Sequence, residues 1–150
     1  WENAMLGHQT MAPFARGPFL DRSGARSATA RIIEDFDVRT PGIDTSARAL
    51  SGGNQQKLVI GREMAASPRL LVAAHPTRGI DVGAQAAVWE NLRAARREGL
   101  AVLLVSADLE ELIGLADRLV VMLRGRVVAE LDPATTTPRL LGGYMTGAEE

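Results

Sequence analysis

The chain has 150 residues, 46% of them hydrophobic, with 17 basic side chains against 18 acidic ones and a formal net charge of -1. That length and apolar content suit one domain with a real core, and the near-neutral balance argues against a nucleic-acid surface. The absence of cysteine excludes disulfides and thiolate metal sites, and the longest aliphatic run, Leu100 to Val105, is far too short to cross a bilayer.

Trp1 to Leu6 reads as the end of a helix, and residues 7–20 read as loop, with Pro13, Gly17 and Pro18. Asp21 is placed to cap a helix reaching about Phe36, with Ile32, Ile33 and Phe36 on its apolar face. A turn-rich stretch, RTPGIDTSA, leads to ALSGGNQQKLVIGREMAAS. Two glycines stand there directly before a helical pattern that ends near Ser67 and is stopped by Pro68. From Arg69 on, strands and helices alternate. Leu70 to Ala74 is five aliphatic residues in a row, the run expected of a parallel strand buried on both faces. Asp81 caps a helix whose predicted inner face is Val82, Ala86, Trp89 and Leu92. Ala101 to Ser106 is a second buried strand. Asp108 with Glu111 forms a capping box before a short helix carrying Leu109, Leu112 and Ile113. RLVVML and RVVAEL, joined at Arg124-Gly125, pair as an antiparallel hairpin, and Thr137-Pro138 opens a last short helix. The order gives an α/β fold in two parts, a mostly helical one over 1–67 and one over 68–150 with parallel strands and a C-terminal antiparallel hairpin.

Several chemistries find no motif. A phosphate-cradling P-loop needs G-x-x-x-x-G-K-[ST], and the single lysine, Lys57, follows Gln56. No G-x-G dinucleotide fingerprint and no serine-hydrolase elbow occur. His8 and His75 are the only histidines, and no His or carboxylate cluster points to a metal. What remains is LSGGNQQK, Leu50 to Lys57. Gly52 and Gly53 let the backbone approach a ligand, and the helix behind them aims free N–H groups and its positive dipole end at the same place. With the Ser51 hydroxyl this makes an anion site. On local physics alone, a loop with a helix cap explains the same residues.

LSGGNQQK stands one helix before a strand that leads into PTRGID, a helix, a strand and a capped helix. This order resembles the ATP-binding subunits of ABC transporters. It is most similar to the C-terminal nucleotide-binding domain of the tandem ATPases that drive sugar and nucleoside import, and the resemblance covers nearly the whole chain. It implies a partial P-loop NTPase-like domain whose P-loop portion is missing here, with ATP and Mg²⁺ as cofactors. Leu50 to Asn54 matches the signature motif, with Asn54 where many members carry glutamine. Ser51, Gly52, Gly53, Asn54 and Gln55 would then serve the γ-phosphate side of a nucleotide held on the P-loop of a second nucleotide-binding domain. Arg78 to Asp81 matches the D-loop, and Asp81 would face that partner.

The same resemblance exposes departures. Most members end the strand before PTRG in Asp, for the Mg²⁺ shell, and Glu, for the attacking water; this chain has Ala74 and His75. The switch-loop histidine falls on Ala107. A methyl group positions neither charge nor water for phosphoryl transfer. His75, in place of the family's Glu, is the candidate for a replacement base, and the expected outcome is a hydrolytically impaired half-site beside an intact signature. Ala-Ala and a polar residue before PTRG, and FDVRTPG ahead of the signature, resemble the nucleoside importers more than those for simple sugars. The implied partners are the second nucleotide-binding domain and transmembrane permease subunits, with the chain peripheral on the cytoplasmic face of the membrane. Residues 1–20 are the expected permease-facing region, unless Phe14 and Phe19 are simply core. The alternatives are a non-transport ABC-family regulatory module and an inactive truncated remnant. The absence of a charged-then-apolar leader and the start at Trp1 rather than Met suggest a cut or processed cytoplasmic segment. Half a parallel sheet would leave an apolar edge prone to association.

Overall fold

A computed structural model describes residues 1–148. They form two compact units, one made of Trp1–Leu71 and Pro76–Val102, the other of Val72–His75 and the chain from Leu103 on.

The first unit is largely helical. A short 3₁₀ turn, Glu2–Met5, precedes two very short strands, β1 (Ala15–Arg16) and β2 (Phe19–Leu20). This antiparallel pair occupies a segment expected to be loop. Helix α1 (Arg22–Asp35) starts where Asp21 accepts the Gly24 N–H at 2.9 Å. That cap holds the Asp21 carboxyl below the usual range, with the Arg16 guanidinium adding to the effect. Helix α2 (Gly52–Ala65) crosses α1 closely, because a Cβ on Gly61 would stand 2.7 Å from both Ile32 Cγ2 and Phe36 Cδ2. Phe14, Ala25 and Ala28 form a buried cluster under Trp1 and Met5. Phe14 is therefore core, whereas Phe19 is 75% exposed.

Helix α3 (Val82–Arg97) begins at its predicted cap, and of its predicted inner face Leu92 is buried and Trp89 half-buried while Val82 and Ala86 are exposed. Val88 and Leu92 are buried, Ala84 and Ala95 half-buried, and Val82 is 81% exposed, with Ala86 exposed as well. The stripe Ala84, Val88, Leu92, Ala95 follows the helical period from a small residue. Ala84, with only a methyl group, lets the first turn of α3 approach α2 at Gly53.

Strands β3 (Leu70–Ala74) and β4 (Ala101–Val105) are hydrogen-bonded neighbours. Arg69 O accepts from Ala101 N at one end and Val105 O accepts from His75 N at the other, so the pair is parallel. Neither strand is buried on both faces as predicted. Leu71 and Ala73 are buried, but Val72 is 58%, Leu103 54% and Val105 47% exposed. Only one side of each strand finds packing among the described residues.

In the second unit, helices α4 (Leu109–Leu115) and α5 (Pro138–Thr146) accompany the hairpin β5 (Leu119–Leu123) and β6 (Arg126–Leu131), around Leu119, Val121 and Leu141. Arg124 and Gly125 both have positive φ, 50° and 78°, the conformation of a type I′ turn. A bulge interrupts the register between Val121 and Met122. Asp108 caps α4 by accepting Glu111 N–H at 3.0 Å, while its own N–H donates to Ser106 Oγ.

Candidate functional site

Two segments far apart in sequence meet in the first unit. Ser51 is the N-cap of α2, and its exposed side chain accepts from Asn54 N at 3.4 Å and Asn54 Nδ2 at 2.9 Å. Gly52 and Gly53 lie in the first helical turn, where an N–H has no intrahelical acceptor. The turn also rests on the PTRGID loop. A Cβ on Gly52 would lie 3.4 Å from Gly79 O and 3.6 Å from Ile80 Cγ2; one on Gly53 would lie 2.4 Å from Ala84 Cβ. Asp81 caps α3 by accepting Ala84 N–H at 2.9 Å, and its other carboxylate oxygen lies 4.0 Å from the Gly53 position. Two helix N-termini therefore meet there, with Ser51, Gly52 and Asp81 exposed and Gly53 buried in the contact. Such a patch can present backbone donors and a hydroxyl to an anion.

The supports of the patch were not apparent from sequence. Asn54 Oδ1 accepts the Arg39 N–H at 2.8 Å, tying the signature turn to the VRTPG segment. Gln55 is turned back, its Nε2 donating to Leu50 O at 3.0 Å. Lys57 is buried in α2 and donates to both the backbone oxygen and the carboxylate of Asp37 at 2.9 Å. That hydrogen bond, with the Lys57 charge, holds the Asp37 carboxyl below the usual range. The one lysine is thus a structural tie rather than a phosphate ligand. Asp37 takes a positive φ of 47° to meet it. A lysine on the inner side of α2 was the available signal.

The remaining candidates lie in the second unit. His75 has φ 49°, an exposed side chain and an N–H that donates to Val105 O at 2.8 Å. Ala74 and Ala107 are exposed and contribute only methyl groups. Among the described residues, no group of three His, Cys, Asp or Glu side chains could hold a metal ion. No described helix is long and apolar enough to cross a membrane.

No family model matches the chain. It is 44% identical over 149 residues to the guanosine import ATP-binding protein NupO of Bacillus subtilis, covering 99% of this chain and 29% of that protein. The nucleoside import ATP-binding protein NupA of Lactococcus lactis is 42% identical over 146 residues, covering 97% and 29%. The ribose import ATP-binding protein RbsA 1 of Streptomyces avermitilis is 44% identical over 132 residues, covering 87% and 25%. The chain spans less than a third of the length of these relatives. Among solved structures, a nucleotide-free ATP-binding cassette from an ABC transporter superposes with a TM-score of 0.66 at 23% identity, covering 75% of this chain and 44% of that one. A dimeric bacterial ABC transporter cassette gives 0.66 at 21%, covering 79% and 51%. The chain is a homologue of these import ATP-binding proteins and has the fold of part of an ABC transporter ATP-binding cassette.

Proposed function

We propose that the chain is the signature-bearing part of the ATP-binding component of an ABC importer for nucleosides or simple sugars, with nucleosides favoured. In that role it couples ATP binding and hydrolysis to transport, at the cytoplasmic face of the membrane. The observation that carries this reading is the start of α2, where Ser51, Gly52 and Gly53 form a donor-lined turn braced against the PTRGID loop. Its relatives named for guanosine, nucleoside and ribose import support the transported classes.

The chemistry follows from the donors. Ser51 and the first-turn N–H groups would meet the terminal phosphate of ATP bound, with Mg²⁺, on the P-loop of a second nucleotide-binding domain. Asn54 and Gln55 would hold the turn, and Asp81 would face that domain. Preorganised donors of this kind stabilise the charge that develops in phosphoryl transfer. On its own side the chain offers Ala74, His75 and Ala107, which makes the half-site a binding clamp with impaired hydrolysis. Residues 1–67 would form the helical subdomain that meets the permease, and 68–150 the C-terminal α/β part of the nucleotide-binding domain. The test is a chimera in which this chain replaces the matching segment of the Bacillus subtilis guanosine importer. Ser51→Arg should abolish ATPase activity and uptake in the chimera, and His75→Ala should leave both within about twofold. The reverse ranking refutes the assignment.

A further inference from the structure

We infer that Asn54 is a positioning residue that fixes the Ser51 hydroxyl as a hydrogen-bond donor toward the bound phosphate. The inference rests on the signature reading above and follows from one asymmetry in the hydrogen bonds. Asn54 Oδ1 faces the Arg39 backbone N–H at 2.8 Å. A backbone N–H only donates, so the amide oxygen has to point at Arg39 and the NH₂ group the other way. The orientation of the amide is thus settled without reference to Ser51.

Asn54 Nδ2 then lies 2.9 Å from Ser51 Oγ and has only protons to offer it. The Asn54 backbone N–H approaches the same oxygen at 3.4 Å. A hydroxyl has two acceptor lone pairs and one proton. With its lone pairs turned toward Asn54, the Ser51 proton points out to the exposed side of the turn. An anion there meets a hydroxyl that gives a proton and cannot present a lone pair against it. Arg39 is itself flanked by anchors, since Val38 is buried and Asp37 is held by Lys57. The FDVRTPG segment thereby acts on the site through a single amide.

Asn54→Asp separates this role from simple packing. The aspartate keeps the shape and still accepts the Arg39 N–H, but it shows Ser51 an acceptor, draws the hydroxyl proton inward and adds a negative charge beside the phosphate. The neutral Asn54→Ala carries the comparison free of that charge. In the complete ATP-binding protein assembled with its permease, the kcat for ATP hydrolysis should fall about ten- to a hundredfold. The KM for ATP should stay unchanged. Ser51→Ala should cost a similar factor, and adding Asn54→Ala to it should cost nothing more. If Asn54→Asp is as active as wild type, or if Ser51→Ala with Asn54→Ala loses the product of the two single factors, the positioning role is wrong while the signature reading stands. If Ser51→Ala alone keeps full activity, the signature reading fails and this inference fails with it.

Discussion

Replacing Gly53 by alanine tests the contact on which the candidate site is built. The added methyl carbon would stand 2.4 Å from Ala84 Cβ. Carbon atoms in contact prefer about 3.5–4.0 Å, so the first turns of α2 and α3 would have to part by more than 1 Å. Neither atom can rotate away, because both are Cβ atoms fixed to helical backbone. Overpacking of this kind costs about 1–3 kcal/mol. Alanine opposes that by gaining about 1 kcal/mol of helix propensity over glycine, leaving a net loss of up to about 2 kcal/mol. For a chain of this size that corresponds to a Tm lower by up to about 8 °C. Gly52 supplies the control one residue away. There a Cβ meets Gly79 O at 3.4 Å and Ile80 Cγ2 at 3.6 Å, ordinary contact distances. Gly52→Ala should therefore be neutral or slightly stabilising. Urea titration with thermal unfolding as a second probe measures both variants, and Ala84→Gly in the Gly53→Ala background should recover part of the loss. If Gly52→Ala and Gly53→Ala are indistinguishable, α2 is not braced against α3 in the way described.

Asp81→Ala should destabilise by about 0.5–2 kcal/mol through loss of the α3 cap, while Asp81→Asn should cost far less; unfolding midpoints decide between them. Asp37 supplies a pH test. Its carboxyl is depressed in the folded chain, first by the Lys57 hydrogen bond, so its contribution is present above the ordinary carboxylate value of 3.8 and is lost as pH falls below it. Lys57→Met should make the acid limb of the stability profile shallower, and an unchanged limb would show that the pair carries no stability. Gly61→Ala should lower stability by up to about 2 kcal/mol after the same gain in helix propensity, because its methyl would press on Ile32 and Phe36 at 2.7 Å; calorimetry reads the change.

Local chemistry made much of the fold legible. Asp21, Ser51, Asp81, Asp108 and Thr137 each cap the helix that the sequence places behind them. The hairpin turns at Arg124-Gly125 because both residues adopt positive φ. The misses are long-range. A strand of two residues, as at Ala15–Arg16, has no period to read. The inner face of α3 is set by where its first turn meets Gly53, which periodicity in α3 alone cannot reveal. At the candidate site, the residue types of the signature turn were readable, but its bracing was not. The Asn54–Arg39 and Lys57–Asp37 ties each link residues 15 or more positions apart through polar groups, where hydrophobic pattern carries no signal.

The aliphatic strands carry a further consequence. Val72, Leu103 and Val105 are half exposed on β3 and β4, although their residue types suit a sheet covered on both sides. The two solved cassettes each contain about as much fold outside the matched part as within it. Full burial of a Val or Leu side chain contributes about 1.5–3 kcal/mol, so three half-exposed ones leave roughly 2–4 kcal/mol to be gained by covering them. Changing all three to threonine should therefore act in opposite directions in two contexts. In the isolated chain it should reduce self-association, measured by sedimentation velocity across a range of concentrations. In a chimera with the remaining cassette of the guanosine importer it should lower stability by a similar 2–4 kcal/mol, because a cover that packs on valine and leucine packs poorly on hydroxyls. A triple variant that is neutral in the chimera would mean that this face is solvent-facing in the complete protein, and that the aliphatic run reflects strand propensity rather than burial.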